Sequence, residues 1–388
     1  MMRRDSEAFE SPRIVYNPAP ARFAVPAGHP DALAFHRKLP GYTPTPLVAA
    51  PGVAAKLGVM QAWVKDESNR LGLPAYKILG ASWAAYRALD ERCGPFAPWE
   101  TLPELAAQLL PRGPLTLVAA TDSNHGRAVA RMAKWLGVGA HILAPRDMAH
   151  ARRQAIASEG ARVTVVDGSY DEAVEAAVRL ADDAHLVISD TAWEGYERIP
   201  AWVIEGYATI YHESDAQLEA HGVGQPDLVA AQMGVGALAA SVVRHYRRPG
   251  WAAQVVGVEP TRAACALASV EAGRLIEAPG PHDSIMAGLN CGRPSPIAWP
   301  YVSGGVSLFI AIPDARAEEA MRLLAQDGIV AGESGAAGLA GCLEAFGGVE
   351  AHRYRTLLGV DETSTLLLIS TEGATDPAAY DRIVGHRD

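Results

Sequence analysis

The sequence predicts an α/β protein made of two open parallel-sheet domains. Three observations carry this. The chain has 388 residues, about two domains at roughly 100–200 residues each. Its composition, 49% hydrophobic and 20% charged, is that of a globular protein with a large core. From about residue 115 onward, short apolar runs alternate with amphipathic stretches of helical length, the rhythm of βαβ units around a parallel sheet.

The first 60 residues are rich in Pro and weakly periodic, and predict an extended arm with short helices packed on the larger domain. In "VKDESNRLGLPAYKILGASWAAYRAL" an apolar strand passes through a Gly- and Pro-bearing loop into a helix whose first turn contains Lys77. The middle block reads as strand "LTLVAA", helix 124–136, strand "GAHILAP", helix 149–158, strand "ARVTVV", helix 170–182 and strand "HLVIS". A second series follows: helix 201–219, "DLVAAQ", helix 236–247, "AQVVGVEP", a helix from 261, "VSLFIAIP", helices near 314–326 and 335–346, and "TLLLIS". The expected division is a larger domain from 1–84 and 196–388 and a smaller α/β domain from 85–195. Two such domains facing each other would make a cleft, and open α/β sheets bind ligands at the carboxyl ends of their strands.

Several function classes are disfavoured. Lys and Arg number 34 against 44 Asp and Glu, a net charge of −10 with no basic stripe, so no nucleic-acid partner is expected. The four cysteines (Cys93, Cys265, Cys291, Cys342) form no CxxC, so neither a disulfide framework nor a metal site is indicated, and a pairing of Cys265 with Cys291 is left open. The start "MMRRDSEAFESPR" lacks the apolar segment of a secretory signal, and no run of about 18 apolar residues exists to span a membrane. A cytoplasmic protein without a membrane partner is the expectation.

Several strand-to-helix junctions and one lysine carry the chemistry. Lys77 sits beside the positive end of a helix dipole and in an apolar setting, both of which lower an amine's pKa, though a solvated helix lysine fits the same pattern. "AAQMGVGALAASVV" places Gly234, Val235, Gly236, Ala237 and Leu238 where free N–H groups can cradle a phosphate, or where a tight turn is simply needed. "LLLISTEGATDP" ends an apolar strand on Ser370 and Thr371, two hydroxyls at a sheet edge that also suit a turn. "AATDSNHGRAVA" puts Thr121, Asp122, Ser123, Asn124 and His125 between a strand and a helix, and in "VAGESGAAGLAG" Gly332, Ser334 and Gly335 precede another.

Together these motifs resemble the fold-type II family of pyridoxal-phosphate enzymes, and within it the diaminopropionate ammonia-lyases. The blocks that carry the resemblance are "DESNRLGLPAYK", "ATDSNHGRAVA", "SDTAWEGYERIPAWVIEGYATI", "SIMAGLNCG", "GESGAAGL" and "STEGATDP". Ser123 stands where the pattern has Gly, and Ala374 where it has an acid. The resemblance implies pyridoxal 5'-phosphate as cofactor, bonded by Lys77 and held at its 3-hydroxyl by Asn124, at its phosphate by Gly234–Leu238, and at its pyridine nitrogen by Ser370 or Thr371. It implies that the larger domain binds the cofactor and that the chain forms a homodimer.

The implied reaction is α,β-elimination of 2,3-diaminopropionate, of one or both isomers, to pyruvate and ammonia, with a small-molecule amino acid as substrate. Lys77 is the expected base. In most relatives the loop of Thr121 to His125 receives the substrate carboxylate, so Asp122 there repels a simple amino acid by about 4 kcal/mol at 4 Å and an effective dielectric near 20. A second ammonium on the substrate reverses that sign, and makes Asp122 a partner or a second proton acceptor. Asp190, closing "HLVIS", is a further carboxylate for an amino group or a proton. Plain alternatives are an N-cap for Asp122, a strand-end turn for Asp190 and, for His125, packing or support behind the residues that touch the substrate, while Trp193, Glu194 and Tyr196 are expected at the mouth of the cleft, with a core position as the alternative for Trp193. Alternative functions are a serine/threonine-type dehydratase or a non-catalytic pyridoxal-phosphate-binding protein.

Overall fold

A computed structural model describes residues 11–25, 32–121, 124–168 and 170–385. Contacts group the chain into two compact units. One comprises residues 1–28, 44–69 and 210–388, the other 29–43 and 70–209.

The first unit holds a seven-stranded sheet in the order β1-β10-β9-β8-β11-β3-β2. Its strands are β1 (Arg13–Tyr16), β2 (Leu47–Ala49), β3 (Gln61–Asp66), β8 (Leu228–Gln232), β9 (Gln254–Pro260), β10 (Leu308–Ile312) and β11 (Thr365–Ser370). The five central strands run parallel, whereas the edges β1 and β2 pair antiparallel with β10 and β3. Every residue of β8, β10 and β11 is buried, as expected of strands covered on both faces. Leu228, Ala230, Val256, Val258, Leu308, Ile310, Leu366 and Leu368 form one core with the helices Pro51–Leu57, Asp314–Gln326 and Glu333–Gly347. The chain winds from β8 through β9 to β10, then crosses back to place β11 on the other side of β8. That reversal makes the carboxyl ends of β8 and β11 the sheet's switch point, where such sheets bind ligands.

The second unit holds a four-stranded parallel sheet in the order β6-β5-β4-β7, with β4 (Thr116–Ala120), β5 (Gly139–Pro145), β6 (Arg162–Val166) and β7 (His185–Val187). It winds from β4 to β6 and then returns to β7 beside β4, so its switch point lies beyond the ends of β4 and β7. The helices Lys77–Cys93 and Arg198–Gly206 cross at glycines. A Cβ on Gly80 would stand 2.6 Å from the Tyr207 ring, and one on Gly206 would stand 2.8 Å from the Cα of Gly80.

The grouping differs from the expected division in placing residues 29–43, 70–84 and 196–209 with the smaller body, and the bare-backbone crossing of these two helices accounts for the last two stretches. The helix expected over 201–219 is two, Arg198–Gly206 and Ala208–Ala220, parted at fully buried Tyr207. The helix expected from 261 is a 3-10 turn, Thr261–Ala263, and then Cys265–Glu271. The start of the second is set by the Glu259 carboxylate, which accepts the N–H groups of Ala266 and Leu267 at 2.7 and 2.8 Å. Among the described residues no helix is long and apolar enough to cross a membrane, and the four cysteines are free.

Candidate active site

The second unit assembles a charged cluster at its switch point. Lys77 is the first residue of its helix, where no side chain caps the N-terminus. Its Nζ lies 2.7 Å from Asp190 Oδ2, three residues beyond the end of β7. Asp190 is buried, and the Lys77 side chain is 16% exposed. Burial alone pulls the Lys77 amine down, as its sequence context suggests. The Asp190 charge, helped by Tyr207, Tyr76 and the direct hydrogen bond, outweighs burial and holds the amine well above its ordinary value. Asp190 shifts in the matching sense: burial would raise its carboxyl, but Lys77 and His125 hold it far below the usual range. Both partners are therefore ionised at neutral pH.

His125 lies in the first turn of the helix Asn124–Leu136 and is 4% exposed. Its Nε2 is 2.8 Å from the Ile188 carbonyl, and its Nδ1 is 3.9 Å from Asp190 Oδ2. Burial drives its pKa down, opposed by Asp190 and reinforced by Lys77. Its neighbour Gly126 is glycine for a steric reason, because a Cβ there would overlap the methyl of buried Thr121. Asn124 opens the helix, half-buried. Asp122 and Ser123 lie outside the described residues.

Tyr196 holds the segment that carries Asp190. Its hydroxyl donates to the Val187 carbonyl at 2.7 Å and accepts the Ser189 N–H at 3.0 Å, and its ring stacks on Trp193 at 4.0 Å. The residue expected at a cleft rim is thus a fastening between β7 and Asp190. A tyrosine six residues after a candidate carboxylate was the available signal, but the sequence does not say which way the chain turns between them.

The first unit brings the remaining candidates to its own switch point. Gly236 has φ +92° and opens the helix Ala237–Tyr246 without a side-chain cap, leaving first-turn N–H groups to an external acceptor. A Cβ on Gly234 would come within 3.0 Å of Cys291 Sγ and 3.1 Å of the Gly288 carbonyl, so the loop is closely lined. Across the switch point, Gln232 ends β8 and donates through Nε2 to Thr371 Oγ1 at 2.6 Å and to the Ile369 carbonyl at 2.9 Å. Thr371 is thereby engaged within the protein, while Ser370 Oγ is buried and has no hydrogen-bond partner among the described residues. Sequence reasoning missed Gln232, although an amide closing an otherwise apolar buried strand is an unusual placement that demands partners.

The family profile described as "Pyridoxal-phosphate dependent enzyme" matches residues 38–358. The diaminopropionate ammonia-lyase of Escherichia coli strain K12 is 38% identical over 363 residues, covering 90% of this chain and 89% of that protein. That of Salmonella typhimurium is 36% identical over 374 residues, covering 92% and 91%. The chain is a member of the diaminopropionate ammonia-lyase family of pyridoxal-phosphate-dependent enzymes. Its fold agrees with the crystal structure of the Escherichia coli enzyme in complex with an aminoacrylate-PLP azomethine reaction intermediate, at a TM-score of 0.87 and 34% identity over 97% of both chains. This is the fold-type II architecture.

The described residues fit the family's cofactor. A phosphate needs uncapped N–H donors and close approach to the backbone, which the helix start after Gly236 and the absence of a Cβ at Gly234 and Gly236 provide. A pyridine nitrogen needs one hydrogen-bonding group at the sheet edge, and Ser370 Oγ is an orphaned one. An aldehyde needs a buried amine, and the first turn of the Lys77–Cys93 helix provides it.

Proposed function

We propose that this enzyme eliminates ammonia from 2,3-diaminopropionate and yields pyruvate, with Lys77 as the amine that bonds the cofactor and as the base. The observation that carries the reading is the 2.7 Å contact between Lys77 Nζ and Asp190 Oδ2, a second ionised group beside the reacting amine. Gly234–Leu238 hold the phosphate and Asn124 the 3-hydroxyl. Ser370 or Thr371 meets the pyridine nitrogen, Ser370 being favoured because its buried hydroxyl has no hydrogen-bond partner among the described residues.

Bound pyridoxal phosphate supplies an electron sink for the charge left at Cα when its proton departs. Lys77 Nζ takes that proton, and an amine returned to the ammonium state finds Asp190 already in place. A hydroxyl at the nitrogen, in place of a carboxylate, keeps the nitrogen from being fully protonated and favours expulsion of a β-substituent over transamination. The substrate's second amine leaves as ammonia with its bonding electron pair, and hydrolysis of the released enamine gives pyruvate and the second ammonia. Asp190 and Asp122 are the carboxylates that recognise a diamine or accept a proton, Asp122 being the candidate for the D isomer. Thr121, Ser123 and His125 complete the substrate loop.

The enzyme is read as a cytoplasmic homodimer, the first in keeping with four free cysteines and the second with the family resemblance. Pyruvate release by the purified holoenzyme, measured with both isomers of diaminopropionate, of serine and of threonine, tests the assignment. Diaminopropionate is expected to be the fastest substrate. Rapid turnover of serine or threonine with none of diaminopropionate would overturn it in favour of a dehydratase.

A further inference from the structure

Resting on the assignment of Lys77 and Asn124 to the cofactor's aldehyde and 3-hydroxyl, we propose that Arg131 is a positioning residue. Its guanidinium, fixed in direction by Glu159, holds the turn ahead of Lys77 against the helix that starts at Asn124. The aldehyde and the hydroxyl stand on neighbouring ring carbons, so the two residues that meet them must keep a constant separation. Arg131 is the brace between their two segments.

The turn does not hold itself. The Arg70 N–H donates to the Leu73 carbonyl at 2.9 Å and the Leu73 N–H to that of Arg70 at 3.0 Å, closing a two-residue loop. Both residues inside it are left-handed, Leu71 at φ +55° and Gly72 at φ +73°, the pattern of a type I′ turn. Asn-Gly takes this form readily, whereas a leucine does so against a penalty of about tenfold in population. Such a conformation persists only when its surroundings impose it. Leu71 is buried, so its carbonyl needs a donor from the protein, and Arg131 Nη1 supplies one at 3.1 Å.

Arg131, in the helix Asn124–Leu136, cannot swing its guanidinium freely. Nε and Nη2 donate to the two oxygens of Glu159 at 2.6 and 2.9 Å, a two-pronged contact that fixes the plane of the fork and aims Nη1 at Leu71. The guanidinium also stands 5.7 Å from the centre of the Trp135 ring. Glu159 follows the helix His150–Ala157, is 4% exposed and accepts Arg127 Nε at 3.2 Å as well. Burial would raise its carboxyl, but the hydrogen bonds and charges of the two arginines hold it below its ordinary value. The anchor of the fork is therefore ionised at neutral pH. Between the turn and Lys77, the residues Leu73, Ala75 and Tyr76 are buried, which passes the placement of the turn to the first residue of the Lys77–Cys93 helix.

Arg131→Met combined with Glu159→Gln removes the brace and leaves no buried carboxylate without a partner. Stopped-flow absorbance of the full-length apoprotein mixed with pyridoxal phosphate reads how fast the aldehyde bonds Lys77. Pyridoxine phosphate, which carries a hydroxymethyl group in place of the aldehyde, reads the affinity of the rest of the site. Bonding should slow about tenfold while affinity for pyridoxine phosphate stays within about twofold. Adding Leu71→Asn makes the turn Asn-Gly, which takes the type I′ form unaided, and bonding should return to within about threefold of wild type. A residue that merely supports the fold gives no such recovery, since Leu71→Asn replaces a buried apolar side chain and adds no packing. An unchanged bonding rate, an equal loss of affinity for pyridoxine phosphate, or no recovery with Leu71→Asn overturns the proposal. Glu159→Gln alone keeps Arg131 and frees its fork, and covers the case in which the combined variant does not fold. It should slow bonding about threefold, and an unchanged rate there also overturns the brace. Lys77→Met should abolish the absorbance change. Colour that persists in Lys77→Met would remove the assignment of Lys77 itself, whereas the outcomes above bear on Arg131 and leave that assignment standing.

Discussion

Asp190→Asn keeps the shape of the residue opposite Lys77 and removes its charge. Two unit charges 2.7 Å apart attract by about 6 kcal/mol at an effective dielectric near 20. Burying the two ions costs several kcal/mol each, so the intact pair roughly breaks even, whereas the variant keeps the buried ammonium and loses its partner. The apoprotein should therefore lose about 3–5 kcal/mol at pH 7. The pH dependence follows from the direction of each shift. Asp190 is depressed in the folded state, so its contribution is present above about pH 4 and lost as pH falls through the folded value. Lys77 is raised, so its contribution is present below about pH 10 and lost as pH climbs through the folded value. Between these limits the wild-type pair contributes a constant amount. In Asp190→Asn only burial remains to act on Lys77 and depresses it, so the penalty is full at pH 7 and fades toward pH 10. Urea unfolding of both apoproteins between pH 6 and 10 should show the gap shrink by more than about half. A gap that stays constant over this range, or one below about 1 kcal/mol at pH 7, refutes the reasoning.

Ser370→Ala removes a buried hydroxyl that lacks a partner in the protein. Thermal unfolding of the apoprotein should be unchanged or improved by up to about 1 kcal/mol, while the holoenzyme's absorbance band shifts and kcat falls. Gly236→Ala forces a side chain into a φ of +92° and brings a Cβ to 3.2 Å from Val302, at a strain of about 1–2 kcal/mol. Cofactor titration should show about tenfold weaker binding. Tyr196→Phe strips the hydroxyl that joins Val187 to Ser189, and should cost about 1–3 kcal/mol in urea unfolding and lower kcat, with cofactor affinity unchanged.

The alternation of strands and helices was legible because each element is long enough to show its period, and the central strands of both sheets lie where the apolar runs fall. The antiparallel edges were not. β1 and β2 are four and three residues long, too short for a period, and sit in a Pro-rich segment without a turn signal to pair them. The Gly234–Leu238 loop was visible as a strand-to-helix junction, since glycine at positive φ leaves a mark in sequence. The ionisation of Lys77 was not visible. Local context gives the downward pull of burial, but the group that reverses it is 113 residues away and is brought near by the return of β7 beside β4. The difference in environment between Ser370 and Thr371 was equally hidden, because it depends on which hydroxyl Gln232 reaches from a neighbouring strand.

The bare crossing of Gly80 and Gly206 sets a mechanical tolerance for the amine. Lys77 begins its helix three residues before Gly80, about 4.5 Å along the axis, so its Cα is located by one backbone resting on another. Side chains that hop between rotamers cannot lengthen that joint. A single methyl at either glycine would, by wedging the helices apart close to the lysine's Cα. Substitution at these two positions therefore acts on the helix start that carries the amine, not only on the packing of two helices.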